Sequence, residues 1–202
     1  MDRHGWDRRY AEADYIWTAT PNRFLVQEAA ELAPGRALDL ACGEGRNAVW
    51  LAERGWQVTG VDFSEVALDK ARRMAEDRGV SGEWIASDLV GYTPEPHAYD
   101  LVLVFYLQIP EDERRAALRR AAEALAPGGT LLVVAHDSAN LTDGYGGPQD
   151  PLVLYSAADV VADLTGSGLD VERAEQVRRP VAVDGDERIA LDAVVRASRP
   201  GA

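Results

Sequence analysis

The stretch RALDLACGEGRN, residues 36–47, decides the fold of this chain. Residues 36–40 have the short, largely apolar pattern of a buried strand, and glycines at 43 and 45 follow at once. Residues 46–54 then have the composition of a helix that Gly55 ends. A strand, a tight glycine-containing turn and a helix begin a βαβ unit, so this stretch predicts an α/β protein with a parallel sheet.

The same alternation continues along the chain. Further strands are predicted at 57–61, 83–86, 99–104 and 130–135. Further helices are predicted at 64–78, 111–126 and 156–166. Two last strands, 169–177 and 188–196, flank the turn signal Asp184-Gly185 and predict a hairpin. We therefore expect a doubly wound, Rossmann-like sheet of seven strands, mostly parallel, with a C-terminal antiparallel β-hairpin.

The whole chain, 1–202, is predicted to form one domain. Its three parts are a helical lid segment at 1–33, a ligand-binding core at 34–135, and a substrate loop, helix and hairpin at 136–202. In the lid segment, a short helix is predicted within 6–15, and a second one starts near Pro21 and extends to Leu32. The irregular stretch 136–154 is long for a compact domain, and such loops usually have a function.

Composition and charge exclude several classes of site. The net charge is −13, which disfavours a nucleic-acid acceptor held in a basic groove. Cys42 is the only cysteine, so no intrachain disulfide can form, and no metal site is predicted. Apolar runs are too short for a membrane span, and the N-terminus lacks the core of a signal peptide. We expect a cytoplasmic protein without a membrane partner, either a monomer or a homodimer.

Acidic residues follow three successive predicted strands. Asp39 can accept a hydrogen bond from a ligand ammonium, and Asp62, 23 positions later, can accept both hydroxyls of a ribose. Asp88 can accept an adenine amino group, while Ser87 and Leu89 offer backbone groups. Three acids suit a ligand with an ammonium, a ribose and an adenine, but they would repel a pyrophosphate.

Together with neighbouring motifs, these acids resemble the class I methyltransferases that depend on S-adenosylmethionine (SAM). The motifs, in chain order, are Asp39-x-Ala41-Cys42-Gly43-x-Gly45, Gly60-Val61-Asp62-Phe63-Ser64, Ser87-Asp88, Tyr99-Asp100-Leu101-Val102 and Pro127-Gly128-Gly129. The resemblance covers about 36–135 and implies SAM as cofactor and S-adenosylhomocysteine (SAH) as product. Ala41 stands where this family usually has glycine, and its small methyl group should be tolerated.

The resemblance implies two sets of site residues. The cofactor-binding candidates are Asp39, Ala41, Gly43, Gly45, Asn47, Asp62, Phe63, Ser64, Ser87, Asp88, Leu89, Phe105 and Trp17. The catalytic candidates are His136 as a general base, Tyr106 as a wall of the acceptor pocket, and Arg46 as a ligand for an anionic acceptor or for the SAM carboxylate. Ordinary structural roles, namely a loop histidine, a packed ring and a surface ion pair, stay open for these three.

Gly45-Arg46-Asn47 and the N-terminal aromatic segment are similar to tellurite-resistance and thiopurine-type methyltransferases. This closer resemblance implies a small acceptor, such as a thiol, a metalloid anion or another small metabolite, methylated by in-line SN2 displacement.

Two alternatives stay open at this point. Residues 43–48 match G-x-G-x-x-G/A, and an acid follows 19 residues after Gly43, so an NAD(P)-dependent Rossmann oxidoreductase is a competitor. Against it stand Glu44 inside the turn and the lack of a recognisable set of hydride-transfer residues. A non-catalytic SAM-binding module is the other alternative.

Overall fold

The structure, a computed structural model, describes residues 3–16, 18–183 and 185–201. Its helices are α1 (Arg3–Ala11), α2 (Arg23–Glu28), α3 (Arg46–Ala52), α4 (Glu65–Asp77), α5 (Glu111–Ala124), α6 (Asn140–Asp143) and α7 (Ala157–Asp163). Its strands are β1 (Arg36–Leu40), β2 (Gln57–Asp62), β3 (Glu83–Ala86), β4 (Tyr99–Phe105), β5 (Leu125–His136), β6 (Asp170–Val183) and β7 (Asp186–Ser198).

All of these strands belong to one sheet, in the order β3-β2-β1-β4-β5-β7-β6. Strands β1 to β5 are parallel, whereas β7 runs antiparallel to both β5 and β6. The predicted seven-stranded, mostly parallel sheet with a C-terminal hairpin is confirmed. Strand order reverses between β1 and β4, and ligands of open α/β sheets bind beyond the carboxyl ends of the strands at such a point.

Apolar side chains cover both faces of the sheet, as β4 illustrates. Val102 and Val104 pack in one apolar cluster with Leu118 of α5. Leu101 and Leu103 pack in a second cluster, on the face covered by α2 and α3. A strand that is buried on both faces must be apolar at successive positions, which accounts for the sequence of β4.

The C-terminal hairpin is longer than predicted and projects past the sheet. Strand β7 pairs with β5 only from Asp192, opposite His136, to Ser198, opposite Thr130. Residues 186–191 therefore extend beyond the carboxyl end of β5, paired with the second half of β6. The apolar pattern weakens along this largely exposed overhang, so the sequence analysis predicted strands that are too short. The predicted turn residue Asp184 lies outside the described residues.

Other predicted boundaries also differ from the structure. Strand β5 begins at Leu125, because Gly128 N donates to Arg199 O and Arg199 N donates to Gly129 O, both at 2.9 Å. Helix α5 consequently ends at Ala124, two residues earlier than predicted. In the lid segment α1 ends at Ala11, and α2 covers only Arg23–Glu28.

Polar caps explain where two of the helices begin. Asn22 caps α2, since its side chain accepts a hydrogen bond from Phe24 N at 2.9 Å. This cap replaces the predicted start near Pro21. The predicted cap of α4 is confirmed, because Ser64 Oγ accepts from Ala67 N at 3.2 Å.

Candidate functional site

The loop after β1 turns sharply at the ligand edge of the sheet. Ala41, Gly43 and Gly45 all have positive φ angles, of 59°, 54° and 80°. At Gly45 a Cβ atom would lie only 2.6 Å from the Cβ of Ala71 in α4, so a side chain would push the loop away from the helix. Ala41 is the one non-glycine residue of the three, and its small side chain limits the strain.

Asp39 is the most unusual residue of this edge. It is buried, and neither carboxylate oxygen has a hydrogen-bond partner among the described residues. Burial and the neighbouring charge of Asp62 raise the pKa of Asp39 to about 7, while the Arg46 guanidinium and the Ala48 backbone N–H oppose the shift. A buried carboxylate without a partner is costly, so this site fits a ligand that presents a cationic donor, such as an ammonium.

Asp62 holds the two loops of the site together. Its Oδ2 accepts from Gly43 N and its Oδ1 accepts from Ser64 N, both at 2.9 Å. Burial raises the pKa of Asp62, and these backbone donors oppose the rise. Each carboxylate oxygen can accept a second hydrogen bond, so the predicted contact with ribose hydroxyls is compatible with this geometry and stays a prediction.

The loop after β3 joins the same edge. Ser87 N donates to Asp62 O at 3.0 Å, which places this loop beside the end of β2. Asp88 is exposed and its Oδ1 accepts from Val90 N at 2.9 Å, as in a local turn. Leu89 is buried in the core cluster.

The remaining cofactor-binding candidates have varied surroundings. Phe63 is partly buried, whereas Phe105 packs in the apolar cluster on the α2 and α3 face of the sheet. Asn47 Oδ1 accepts from Asn22 N at 2.9 Å and so ties α3 to the lid segment. Trp17 lies outside the described residues.

A buried ion pair fastens the lid segment onto the loop after β1. Lys70 Nζ donates to Glu44 Oε1 at 2.9 Å, to Tyr10 O at 2.5 Å and to Ala13 O at 2.7 Å. Glu44 in turn accepts from Ile16 N at 3.0 and 3.1 Å. The two charged side chains are only 5% and 2% exposed, so residues 10–16 are held down by an ion pair that is shielded from water.

Helix α1 also contacts the site directly. Asp7 Oδ1 accepts from Ser64 Oγ at 2.5 Å. The hydroxyl of Tyr10 would lie 3.0 Å from a Cβ atom at Gly43. Helix α1 therefore lies against this loop, and its role as a lid stays a prediction.

Beyond β4 and β5, an aromatic pair forms a second part of the site. Tyr106 follows β4 with a φ of 55°, and its ring centroid lies 4.8 Å from that of His136. Gly147 packs directly against the His136 ring. A Cβ atom at position 147 would lie only 2.7 Å from the ring, so no side chain fits at that position. Burial lowers the pKa of His136 below its ordinary value of 6.5, so the ring is neutral at pH 7 and able to accept a proton.

The C-terminal hairpin adds two charged residues that the sequence analysis missed. Asp192 is fully buried, and its Oδ1 lies 3.6 Å from His136 Nδ1. Arg179 binds both oxygens of the same carboxylate, through Nε and, at 3.2 Å, through Nη2. Their role depends on the register that places Asp192 opposite His136, and no local pattern in the sequence indicates that register.

Polar side chains also order the substrate loop. Gln108 Oε1 accepts from His136 N at 2.9 Å, and Gln108 Nε2 donates to Val153 O at 2.6 Å. Asn140 Oδ1 accepts from Leu191 N at 2.8 Å, which joins the loop to the hairpin. The loop therefore has defined contacts both with Gln108, after β4, and with β7 of the C-terminal hairpin.

Other features of the described residues lie away from this site. A cavity of about 430 Å³, lined in part by Val26, Trp50 and Trp56, lies near the amino ends of β1 and β2 and contains none of the candidate residues. Within the described part of the chain, no group of three or more His, Cys, Asp or Glu could hold a metal ion. No helix described here is long and apolar enough to cross a membrane.

The sequence comparisons with known proteins match methyltransferases. Residues 37–129 match the family of methyltransferase domains. The chain is 37% identical over 124 residues to demethylmenaquinone methyltransferase of Thermus thermophilus, covering 60% of this chain and 54% of that protein. It is 28% identical over 182 residues to thiocyanate methyltransferase 1 of Brassica oleracea, covering 85% and 77%.

Ribosomal RNA small subunit methyltransferase C of Alcanivorax borkumensis also matches, at 35% identity over 51% of this chain and 33% of its own length. The chain thus spans about half or less of the length of some curated relatives. Among solved structures, one from a study of the conversion of a disulfide bond into a thioacetal group during echinomycin biosynthesis superimposes with a TM-score of 0.77. It is 23% identical and covers 98% of this chain and 92% of that one.

Removing Lys70 should leave a buried charge without its partner. We expect Lys70→Met to lower the free energy of unfolding by roughly 3–5 kcal/mol, because Glu44 would stay buried and unpaired. Arg78→Met removes a more exposed partner, 3.0 Å from Glu53, and should cost about 0–1 kcal/mol. Urea unfolding measures both values, and faster trypsin cleavage within α1 should accompany only the first. Equal stability of the two variants would contradict the role of the buried pair.

Replacing Asp39 with Asn should remove a pH-dependent loss of stability. The folded chain keeps a proton on Asp39 up to a pKa of about 7, whereas the ordinary value is 3.8. Between these pH values the unfolded chain has released a proton that the folded chain retains, so the free energy of unfolding falls as pH rises. The pKa difference corresponds to about 4 kcal/mol.

We therefore expect Asp39→Asn to match the wild type in urea unfolding near pH 4 and to exceed it at pH 8. Asp88→Asn, which changes an exposed carboxylate, is the matched control and should show no such trend. A difference between Asp39→Asn and the wild type that stays constant from pH 4 to pH 8 would refute the assignment.

Proposed function

We propose that the chain is a class I SAM-dependent methyltransferase, which transfers a methyl group from SAM to a nucleophilic atom of a small molecule. The proposed acceptor is a thiol, a metalloid anion or a similar small metabolite. The observation that carries the cofactor assignment is the buried carboxylate of Asp39, which has no hydrogen-bond partner among the described residues and lies at the strand-order reversal.

Three features of this chain support a small acceptor. The match to thiocyanate methyltransferase 1 extends over 85% of the chain, well beyond the shared domain. The net charge of −13 opposes binding of a polynucleotide. Gly147 of the loop 136–154 and Asp192 of the C-terminal hairpin lie against His136, so the proposed acceptor pocket would be lined by this chain's own C-terminal segments.

Two acidic residues at the ends of neighbouring strands would bind different parts of the cofactor. Asp39 would accept from the ammonium, and Asp62 would accept from the ribose while it keeps Gly43 and Ser64 in place. The cofactor, when bound, supplies a methyl group on a sulfonium, which is a good leaving group. The lid segment at 1–33 would cover this part of the site, since α1 already contacts Ser64.

The protein's part in the transfer is to position the acceptor and exclude water. Tyr106 and Gly147 enclose the His136 ring, and Asp192 lies beside its Nδ1. Neutral His136 can take a proton from a thiol or hydroxyl as the acceptor attacks. A thiolate or a metalloid anion has no proton to lose and depends less on this base.

The oxidoreductase alternative gains no support from the comparisons, and Glu44 of the predicted phosphate turn is bound to Lys70. An unpartnered acid at Asp39 would also repel a pyrophosphate. The non-catalytic SAM-binding module differs from our proposal only in the absence of turnover, so an activity measurement separates them.

The test is transfer of a labelled methyl group from SAM to thiophenol, thiocyanate, selenite and unfractionated tRNA. We expect label on at least one of the three small acceptors, with one SAH formed for each methyl transferred. Asp62→Ala should abolish the transfer because the loop after β1 loses its anchor, whereas Arg54→Ala, at the opposite edge, should leave it within about twofold.

Label that enters only tRNA would contradict the small acceptor. SAH binding without transfer to any acceptor would favour the non-catalytic module.

A further inference from the structure

The two ring nitrogens of His136 have different surroundings. Nδ1 is buried and has no hydrogen-bond partner among the described residues, while Asp192 Oδ1 lies 3.6 Å from it. The side chain is 17% exposed, so the burial of Nδ1 leaves Nε2 on the accessible side of the ring. Tyr106 and Gly147 pack against the same ring, so it cannot turn freely to exchange the two nitrogens.

The C-terminal hairpin brings a carboxylate to the buried side of this ring. In the antiparallel pairing of β5 with β7, Asp192 lies directly opposite His136, and such pairs project from the same face of a sheet. Arg179 of β6 pairs with Ala190, two residues before Asp192, and reaches the same carboxylate diagonally. It donates to both oxygens, through Nε and, at 3.2 Å, through Nη2. A forked pair of this kind holds the carboxylate in one orientation.

This arrangement favours one tautomer of His136. A neutral imidazole has a proton on one nitrogen and a lone pair on the other. A lone pair on Nδ1 would point towards the ionised carboxylate of Asp192, which has no proton to donate, whereas an N–H there is attracted to it. The proton is therefore more stable on Nδ1, and the lone pair lies on the accessible Nε2. Burial lowers the pKa of His136, Asp192 raises it and Arg179 opposes Asp192, so the ring is neutral at pH 7.

We propose that Asp192 and Arg179 are positioning residues, which hold His136 with its proton on Nδ1 and direct the basic Nε2 to the methyl acceptor. This inference rests on the proposed methyl transfer and assigns the base that serves it. When the acceptor atom attacks the methyl carbon, its own proton passes to Nε2, and the electrons of the broken bond stay on the donor sulfur. The imidazolium that forms lies beside the Asp192 carboxylate, which stabilises its charge. A base placed in this way serves an acceptor that carries a proton on the attacked atom.

Nitrogen-15 NMR of the imidazole rings tests the tautomer without any acceptor or cofactor. At pH 8, where His136 is neutral, the wild type should have the proton of this ring on Nδ1. His136→Gln assigns the signal among the three histidines by its loss. In Asp192→Asn, Arg179 would keep the amide oxygen and leave the amide N–H groups facing Nδ1, so the proton should move to Nε2.

A proton on Nε2 in the wild type, or an unchanged tautomer in Asp192→Asn, would overturn the inference. The wild-type spectrum decides by itself if Asp192→Asn does not fold.

Kinetics test the positioning role with two acceptors that differ in their need for a base. 2-Mercaptoethanol is mostly protonated at pH 7, since a free thiol of the cysteine kind has a pKa of about 8.5, whereas thiocyanate has no proton to lose. At saturating SAM, Asp192→Asn should lower kcat for 2-mercaptoethanol about tenfold or more and change its KM less than about twofold. The ratio of kcat for the thiol to kcat for thiocyanate should therefore fall about tenfold or more.

Asp163→Asn is the matched control. Asp163 is also a buried carboxylate bound by arginines, since Arg114 Nε donates to it at 2.7 Å and Arg115 Nε at 3.1 Å, but it lies on α7 and contacts no residue of the site. Its replacement leaves a buried cation unpaired in the same way and should leave the ratio of the two kcat values unchanged. Equal losses for both acceptors in Asp192→Asn would indicate a purely structural role and overturn the inference.

Failure of the proposed function would look different. In that case the wild type would methylate neither acceptor, and the tautomer measurement alone would decide. A proton that moves from Nδ1 to Nε2 in Asp192→Asn supports positioning by Asp192, and an unchanged tautomer contradicts it. A wild type that methylates thiocyanate but not 2-mercaptoethanol would contradict the assigned base.

Discussion

The cost of burying the Asp39 carboxylate without a partner is the constraint on which the ligand edge depends. A carboxylate out of water is stabilised only by donors or by a cation, and among the described residues only the Ala48 backbone N–H and the more distant charge of Arg46 favour its ionised form, without a hydrogen bond of normal geometry. The strand-order reversal beside β1 opens the space for a ligand, and the tight turn at Gly43 and Gly45 lets that ligand approach the backbone. Under the proposed function, this carboxylate would favour a cationic ligand at the place where the fold can hold one.

Acidic and basic side chains lie in different parts of this site. Asp39 and Asp62 lie at the ends of β1 and β2, whereas Arg179 of β6 is bound by Asp192 of β7 beside His136. Under the proposed function, the two acids would face the cationic methyl donor, and the neutral His136 would face the acceptor.

Local patterns predicted the sheet and the position of Asp39 and Asp62 at its edge, because strand ends and glycine turns can be recognised from adjacent residues. The role of the two acids as cofactor ligands stays a prediction. Local patterns did not reveal the Glu44–Lys70 pair or the carboxylate shared by His136 and Arg179. Those contacts depend on how helices pack and on the register of a hairpin whose overhang has little apolar pattern. Phe105 illustrates the same limit, since packing in the core decides on which face of the sheet its side chain lies. Its predicted contact with the cofactor stays a prediction.

The most direct test is a crystal structure of the protein with SAH. We expect the ammonium nitrogen of SAH within about 3 Å of an Asp39 carboxylate oxygen, with the ribose hydroxyls at Asp62 and the thioether sulfur facing Tyr106 and His136. An ammonium that lies away from Asp39, or SAH bound near the amino ends of the strands, would contradict the role assigned to this buried carboxylate.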